Sequence, residues 1–217
     1  MGAYKRYLDL ESISDLTVAR LSVYLRSLDR LLEVGVDTVS SQDLAHRFNL
    51  NSAQIRKDLA YFGEFGVRGV GYNVRELRRY LVEILGLNRE RRLVIVGAGN
   101  LGTALCHYSG FSGGSFLVVA VLDVDANRIG DPTPAGLLVE DVSRLGEIVR
   151  QRGVEIGAIT TPAASAQPVC DRMVEAGLKA ILNFAPARLE TPLGVKVRNV
   201  DLAVDLGVLS FFVTGKK

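Results

Sequence analysis

Residues 93–105 read LVIVGAGNLGTAL. Leu93, Val94, Ile95 and Val96 run without a polar break, the pattern of a central parallel strand covered on both faces. Glycines then follow as G-x-G-x-x-G. Gly97 permits the tight strand-to-helix turn, Gly99 leaves room where backbone must approach a pyrophosphate, and Gly102 lets the helix pack closely on its strand. Ala98, Asn100 and Leu101 fill the positions between them and belong to the same turn. The free N–H groups of a helix start, with its positive dipole end, favour an anion. Residues 116–122 form a second apolar run ending in Asp123, about 20 residues past the last glycine. An acid there accepts hydrogen bonds from an adenosine ribose and repels a 2′-phosphate. Asp125 is a second candidate for the ribose. Strand, glycines, helix and acid in this order predict an α/β Rossmann domain over residues 89–198, and favour NAD(H) over NADP(H).

The chain has 217 residues, room for one large domain or two modest ones. Its 26 Lys and Arg nearly balance 24 Asp and Glu, so a nucleic-acid partner must be argued from local charge. No run of about 18 apolar residues and no signal-peptide pattern are present, so a cytoplasmic protein without membrane contact is expected. Cys106 and Cys170 form no C-x-x-C pair and read as small buried hydrophobes. His46 and His107 are the only histidines. Without Cys or His clusters no metal site is expected.

A whole small domain's worth of sequence precedes the glycines. Residues 1–15 are mixed and polar and read as a tail. From Leu16 the apolar spacing is helical through Leu32, with Gly35 as a stop. After a short extended piece at Thr38 and Val39, Ser40 or Ser41 caps a two-turn helix carrying Leu44, Ala45 and Phe48. Asn51 or Ser52 caps the next, AQIRKDLAYF, with Ile55, Leu59 and Phe62 facing inward. Two short helices across so short a turn form a helix-turn-helix. Gln54, Arg56 and Lys57 lie near the N-terminal end of the second helix, away from its apolar stripe, where a recognition helix meets the major groove. Gln can pair with adenine, and Arg or Lys with guanine or a phosphate. GEFGVRGVGY, residues 63–72, reads as a strand-turn-strand wing with Arg68 near its tip, suited to a narrow minor groove. Between Arg47 and Arg79, seven basic residues (Arg47, Arg56, Lys57, Arg68, Arg75, Arg78, Arg79) face three acids (Asp58, Glu64, Glu76). These features predict a winged-helix DNA-binding domain over residues 16–88. A last helix, residues 75–85, ends before Gly86, and residues 87–92 read as a solvated linker.

QIRKDLAYFGEFGVRGVGY, then LGL, VGAGNLGTAL, VLDVD (residues 121–125), ILNFAP (181–186) and NVD (199–201) resemble the Rex family of redox-sensing transcriptional repressors. The resemblance covers nearly everything beyond the N-terminal tail, with two domains in one order. It implies a homodimer of winged-helix and Rossmann domains, with the last helix, in residues 199–217, exchanged between subunits. It implies that palindromic operator DNA is held by the apo or NAD+-bound protein and released when NADH binds. Arg56 and Lys57 match the family's recognition-helix pair and Arg68 its wing residue, while Ser41 joins the expected DNA contacts. Tyr108 matches a tyrosine that senses the nicotinamide. Asp201 matches an aspartate that partners this tyrosine in one state and an arginine, matched by Arg26, in the other. Two positions depart from the pattern: Asn100 stands where compared relatives carry Arg, and Leu202 where some carry Phe.

Further strands are expected at residues 156–161 and 181–186, ending on the cofactor side of such a sheet. Thr160, Asn183 and Phe184 could therefore border the nicotinamide. Tyr108 and His107 are expected on the fingerprint helix. Residues 201–212 are strongly apolar and call for a partner surface. An NAD-dependent oxidoreductase with an accessory domain is the rival reading. It lacks a well-placed acid or base: His107 is the only histidine near the fingerprint, and no Tyr-x-x-x-Lys pair is present. A module for another ADP-containing ligand, coenzyme A, is a third, disfavoured because Asp123 could repel its 3′-phosphate. The expectation is a DNA-binding sensor of NADH and NAD+, not an enzyme.

Overall fold

The computed structural model describes residues 13–111 and 115–215, and the chain divides into two compact units, Met1–Asn88 and Arg89–Lys217. The first is built from α1 (Asp15–Glu33), β1 (Thr38–Val39), α2 (Ser41–Phe48), α3 (Ser52–Phe62), β2 (Tyr72–Asn73) and α4 (Val74–Ile84). One capping device recurs four times. Side-chain oxygens of Ser14, Ser40, Asn51 and Asn73 accept the backbone N–H of Thr17, Asp43, Gln54 and Glu76, three residues on. Each such cap is worth about 1 kcal/mol. The apolar stripes meet in one core, in which Leu21, Leu28, Leu44, Ile55, Phe62, Leu77 and Leu81 are buried.

Three expectations for this unit change. Most of the N-terminal tail lies outside the described residues, but its last residues are not tail: Ile13 is buried, Ser14 caps α1 and Asp15 begins it. The wing is not a full strand-turn-strand. Val67 and Gly71 form a single antiparallel bridge, and the outgoing strand, β2, pairs with β1. Gly71 allows this, because a Cβ there would lie 2.5 Å from the Val39 carbonyl oxygen. Residues 87–92 are not a solvated linker throughout. Leu87 packs against the first core, and Glu155 accepts hydrogen bonds from Arg89 at 2.6 and 2.9 Å and from Arg91 at 2.8 Å.

The second unit is one parallel sheet of β3 (Arg91–Val96), β4 (Phe116–Asp123), β5 (Val139–Asp141), β6 (Ile156–Ile159), β7 (Ala180–Asn183) and β8 (Lys196–Asn199). Its strand order, β5-β4-β3-β6-β7-β8, is that of the doubly wound dinucleotide fold, with the order reversing between β3 and β6. Helices α5 (Asn100–Leu105), α6 (Leu145–Arg152) and α7 (Ala163–Glu175) follow strands, and α8 (Leu202–Thr214) ends the chain. Alternation along β3 divides the apolar residues between two layers. Val94 and Val96 pack with Leu122, Ile148 and Met173 on one face, while Leu93 and Ile95 pack with Val121 and Ala158 on the other. Asn199 completes β8, so the sheet runs one residue past the expected boundary at 198.

Two helices depart from the usual. Helix α5 is short, ending at Leu105 with Cys106 as its C-cap; His107 and Tyr108 are therefore not on it. The chain turns back over the Tyr108 ring, where a Cβ on Gly110 would come within 2.3 Å of it. Helix α8 has no buried residue. Leu202, Val204, Leu206, Leu209, Phe211 and Phe212 are all more than half exposed.

Candidate nucleotide and DNA sites

In a parallel sheet every strand ends on one edge, and that edge gathers Gly97, Asp123, Thr160, Asn183 and Phe184, whereas Tyr108 follows α5 and packs on Phe111, which meets Phe116 at the start of β4. Gly97 follows β3 at φ 110°, and a Cβ on it would lie 2.8 Å from the Thr160 backbone that follows β6. The Thr160 hydroxyl donates to the Gly97 carbonyl oxygen at 2.8 Å, locking the turn at the point where the strand order reverses. Gly102 is the tightest position: its Cβ would stand 1.9 Å from the Gly97 carbonyl oxygen. Gly99, in contrast, has nothing within 4 Å of a built Cβ. It caps α5 without a side-chain hydrogen bond. Asn100 and Leu101 are exposed in the helix's first turn.

The Asp123 carboxylate ends β4 and is already engaged. One oxygen accepts the Ala98 N–H at 2.7 Å, the other the N–H groups of Val124 at 2.7 Å and Asp125 at 3.0 Å. Sequence reasoning missed Arg128, whose guanidinium donates to the Ala98 carbonyl oxygen at 2.6 Å and lies 3.7 Å from Asp125. Its spacing of three from Asp125 was the available signal. Thr161, beside Thr160, has a buried hydroxyl oxygen with no hydrogen-bond partner among the described residues.

Asn183 is fully buried, and its amide is committed to structure. It donates to Ala185, Ala187 and Asn199 oxygens and accepts the Ala185 N–H, binding the turn after β7 to β8. Phe184 is half-buried, its N–H on the Ile159 carbonyl oxygen at 2.9 Å. Tyr108 is exposed, with its ring 5.2 Å from Phe111 in edge contact. Asp201 follows β8 as the N-cap of α8, accepting from Ala203 and Val204. Arg26, in the first unit, is exposed on α1.

In that first unit Ser41, Arg56, Arg68 and Tyr72 line one open groove of about 610 Å³ between α2, α3 and the wing. Arg56 donates to the Ser41 hydroxyl at 2.8 Å. Lys57 and Arg68 are exposed. Gln54, off the apolar stripe of α3, is half-buried, and its amide nitrogen donates to Asp58 at 2.7 Å. Asp58 is the feature the sequence concealed. It is fully buried, accepting the Arg20 Nε at 2.5 Å, Arg20 Nη2 at 2.8 Å and the Tyr24 hydroxyl at 2.8 Å. Burial works against its charge, but hydrogen bonds from Arg20, Tyr24 and Gln54 prevail and hold its carboxyl below the ordinary range. Burial, then the bond to Asp58, pushes the Tyr24 phenol up. Local charge shifts accordingly. One of the three acids is buried against Arg20, while Arg75 and Arg78 pair with Asp37 and Asp29.

Residues 12–60 match a family model described as "Putative DNA-binding protein N-terminus", and residues 88–187 one described as "CoA binding domain". The redox-sensing transcriptional repressor Rex of Carboxydothermus hydrogenoformans is 53% identical, over 92% of this chain and 95% of its own. The chain belongs to the Rex family of redox-sensing transcriptional repressors. The Rex of Streptomyces coelicolor is 49% identical over 92% of this chain and 77% of its own. Among solved structures, the Rex-family repressor RSP in complex with β-NAD+ and operator DNA is 36% identical, with a TM-score of 0.87 over 93% of this chain and 92% of that one. RSP in complex with β-NADH gives 35% and 0.84, over 93% and 94%. Rex relatives are named as repressors, not enzymes. No helix of the described residues is long and apolar enough to cross a membrane.

Proposed function

We propose that this protein is a dimeric repressor that holds palindromic operator DNA when apo or NAD+-bound and releases it on binding NADH. One observation carries the nucleotide half: a glycine turn at the sheet's reversal point whose Gly102 tolerates no Cβ, while Gly99 leaves the start of α5 open. The free N–H groups at the start of α5 would take the pyrophosphate. Asp123 would take the adenosine ribose, and its charge would disfavour a 2′-phosphate. The Thr161 hydroxyl, without a hydrogen-bond partner among the described residues, fits a ligand that supplies a polar partner at this edge. Thr160 and Phe184 would border the nicotinamide end. Asn183 acts one step back, holding the turn that carries Phe184.

The two bound forms of the cofactor differ by a hydride and a positive charge, so discrimination belongs to groups near the ring. Tyr108, Asp201 and Arg26 are the residues we assign to it. Arg56, Lys57 and Arg68 would contact DNA, with Ser41 holding Arg56. A protein acting on operator DNA works in the cytoplasm, and the uncovered α8 would be the dimer surface.

Emptying an operator from 99:1 to 1:99 takes about 5.5 kcal/mol of differential NADH affinity. By linkage, operator DNA weakens NADH binding by the same factor. The test is binding of the purified protein to a palindromic duplex at one salt concentration, titrated separately with NADH, NAD+ and NADPH. Release by NADH alone is expected. Equal release by all three overturns the sensor reading.

A further inference from the structure

Asp58 lies on α3, four residues after Gln54 and directly after Arg56 and Lys57, yet it faces the interior. Each of its oxygens accepts two hydrogen bonds, from Arg20 and Gln54 on one and from Arg20 and Tyr24 on the other. An ionised carboxylate can only accept. The end of the Gln54 carboxamide that meets it must therefore be the nitrogen. Without such a partner the amide could turn over, exchanging donor for acceptor with almost no change of shape. With Asp58 in place the choice is made before any DNA arrives. One Gln54 N–H is committed, while its second N–H and its Oε1 meet no other partner among the described residues. The remaining N–H and Oε1 are the donor and acceptor that adenine's N7 and N6 amino group call for in the major groove. Gln54 sits in the first turn of α3, the part of a recognition helix that reaches base edges.

We propose that Asp58 is a specificity-determining positioning residue, which orients the Gln54 carboxamide to read an adenine in each half of the operator. Arg20 and Tyr24 support it from α1 by keeping the carboxylate charged and fixed. The proposal rests on the DNA-binding reading above.

The experiment is selection of duplexes from a randomised DNA pool by the full-length protein, its Gln54→Ala variant and its Asp58→Asn variant. An Asn at position 58 can donate as well as accept, so it permits both orientations of Gln54. Both variants are expected to lose preference for adenine at the same half-site position, by about tenfold, with preferences elsewhere and NADH affinity unchanged. If Asp58→Asn lowers affinity for all duplexes alike while keeping the preference that Gln54→Ala loses, Asp58 is only a brace and the proposal fails. It fails too if Gln54→Ala alters no base preference. If the unmodified protein enriches no sequence, the DNA-binding reading itself fails. Should Asp58→Asn not fold, the pair Arg20→Gln with Asp58→Asn removes both charges and carries the same comparison.

Discussion

The Asp123 carboxylate accepts the Ala98 N–H at 2.7 Å, fastening the tip of β4 to the glycine turn that follows β3. Its other oxygen accepts two further backbone N–H groups, those of Val124 and Asp125. An Asn in its place must set its own N–H against one of these donors. Asp123→Asn is expected to destabilise the second unit by about 1–3 kcal/mol and to weaken NADH binding. NADPH, no longer repelled, should lose less affinity than NADH. Thermal unfolding and paired fluorescence titrations check this.

Two glycines of the turn separate packing from ligand access. Gly102→Ala places a methyl against the Gly97 carbonyl oxygen, and overpacking of this kind costs about 1–3 kcal/mol; both melting temperature and NADH affinity should fall. Gly99→Ala meets nothing within 4 Å and has an ordinary φ of −68°. It should leave the melting temperature within a degree or so while lowering NADH affinity, because the methyl stands where the phosphate would approach.

The Asp58 carboxyl titrates below its unfolded value of about 3.9. Its contribution is complete above that pH and is lost as pH falls through the folded value. Asp58→Asn should destabilise the first unit by about 2–4 kcal/mol near neutral pH, the lower part of the range applying because Arg20 is partly solvated. The gap from the unmodified protein should narrow steadily below about pH 4. Denaturant titrations across pH 3–7 measure it.

Lys57 and Arg68 are exposed and Arg56 is held by Ser41. Each cation that neutralises a phosphate contributes about 0.9 to the slope of log affinity against log salt. Lys57→Ala and Arg68→Ala should each lower that slope by about one. Ser41→Ala should leave the slope unchanged and cost less affinity than Arg56→Ala, since it frees the guanidinium without removing it. Fluorescence anisotropy with a labelled duplex at several salt concentrations distinguishes these outcomes.

Helix α8 exposes Leu206 and Phe211 with no cover from its own chain among the described residues. Leu206→Asp with Phe211→Asp should shift sedimentation equilibrium towards monomer without changing the melting of the first unit. An unchanged mass would place the dimer surface elsewhere.

Local rules explain why so much is legible in the sequence. Caps at Ser40 and Asn51 act within three residues, Gly97 and Gly102 answer steric demands inside one turn, and the apolar run of β3 announces burial on both faces. The place of Asp123 at the end of β4 is readable because the distance from glycine to acid is set by one βαβ unit. The wing is not legible locally, because Gly71 answers to the Val39 backbone, more than thirty residues earlier. Nor is the place of Tyr108, because the end of α5 depends on how the chain folds back over its ring.

Sequence by itself therefore determined two domains, their order, the glycine turn and the basic pair Arg56 and Lys57 on α3, since each is written in neighbouring residues. Only the tertiary structure decided that Asp58 is no surface acid but the buried partner of Arg20, 38 positions away. It also decided that Gln54 turns inward to the same carboxylate, and that Asn183 holds a turn. A buried polar group must find its hydrogen-bond partners wherever the packed chain supplies them, and no local spacing records that choice.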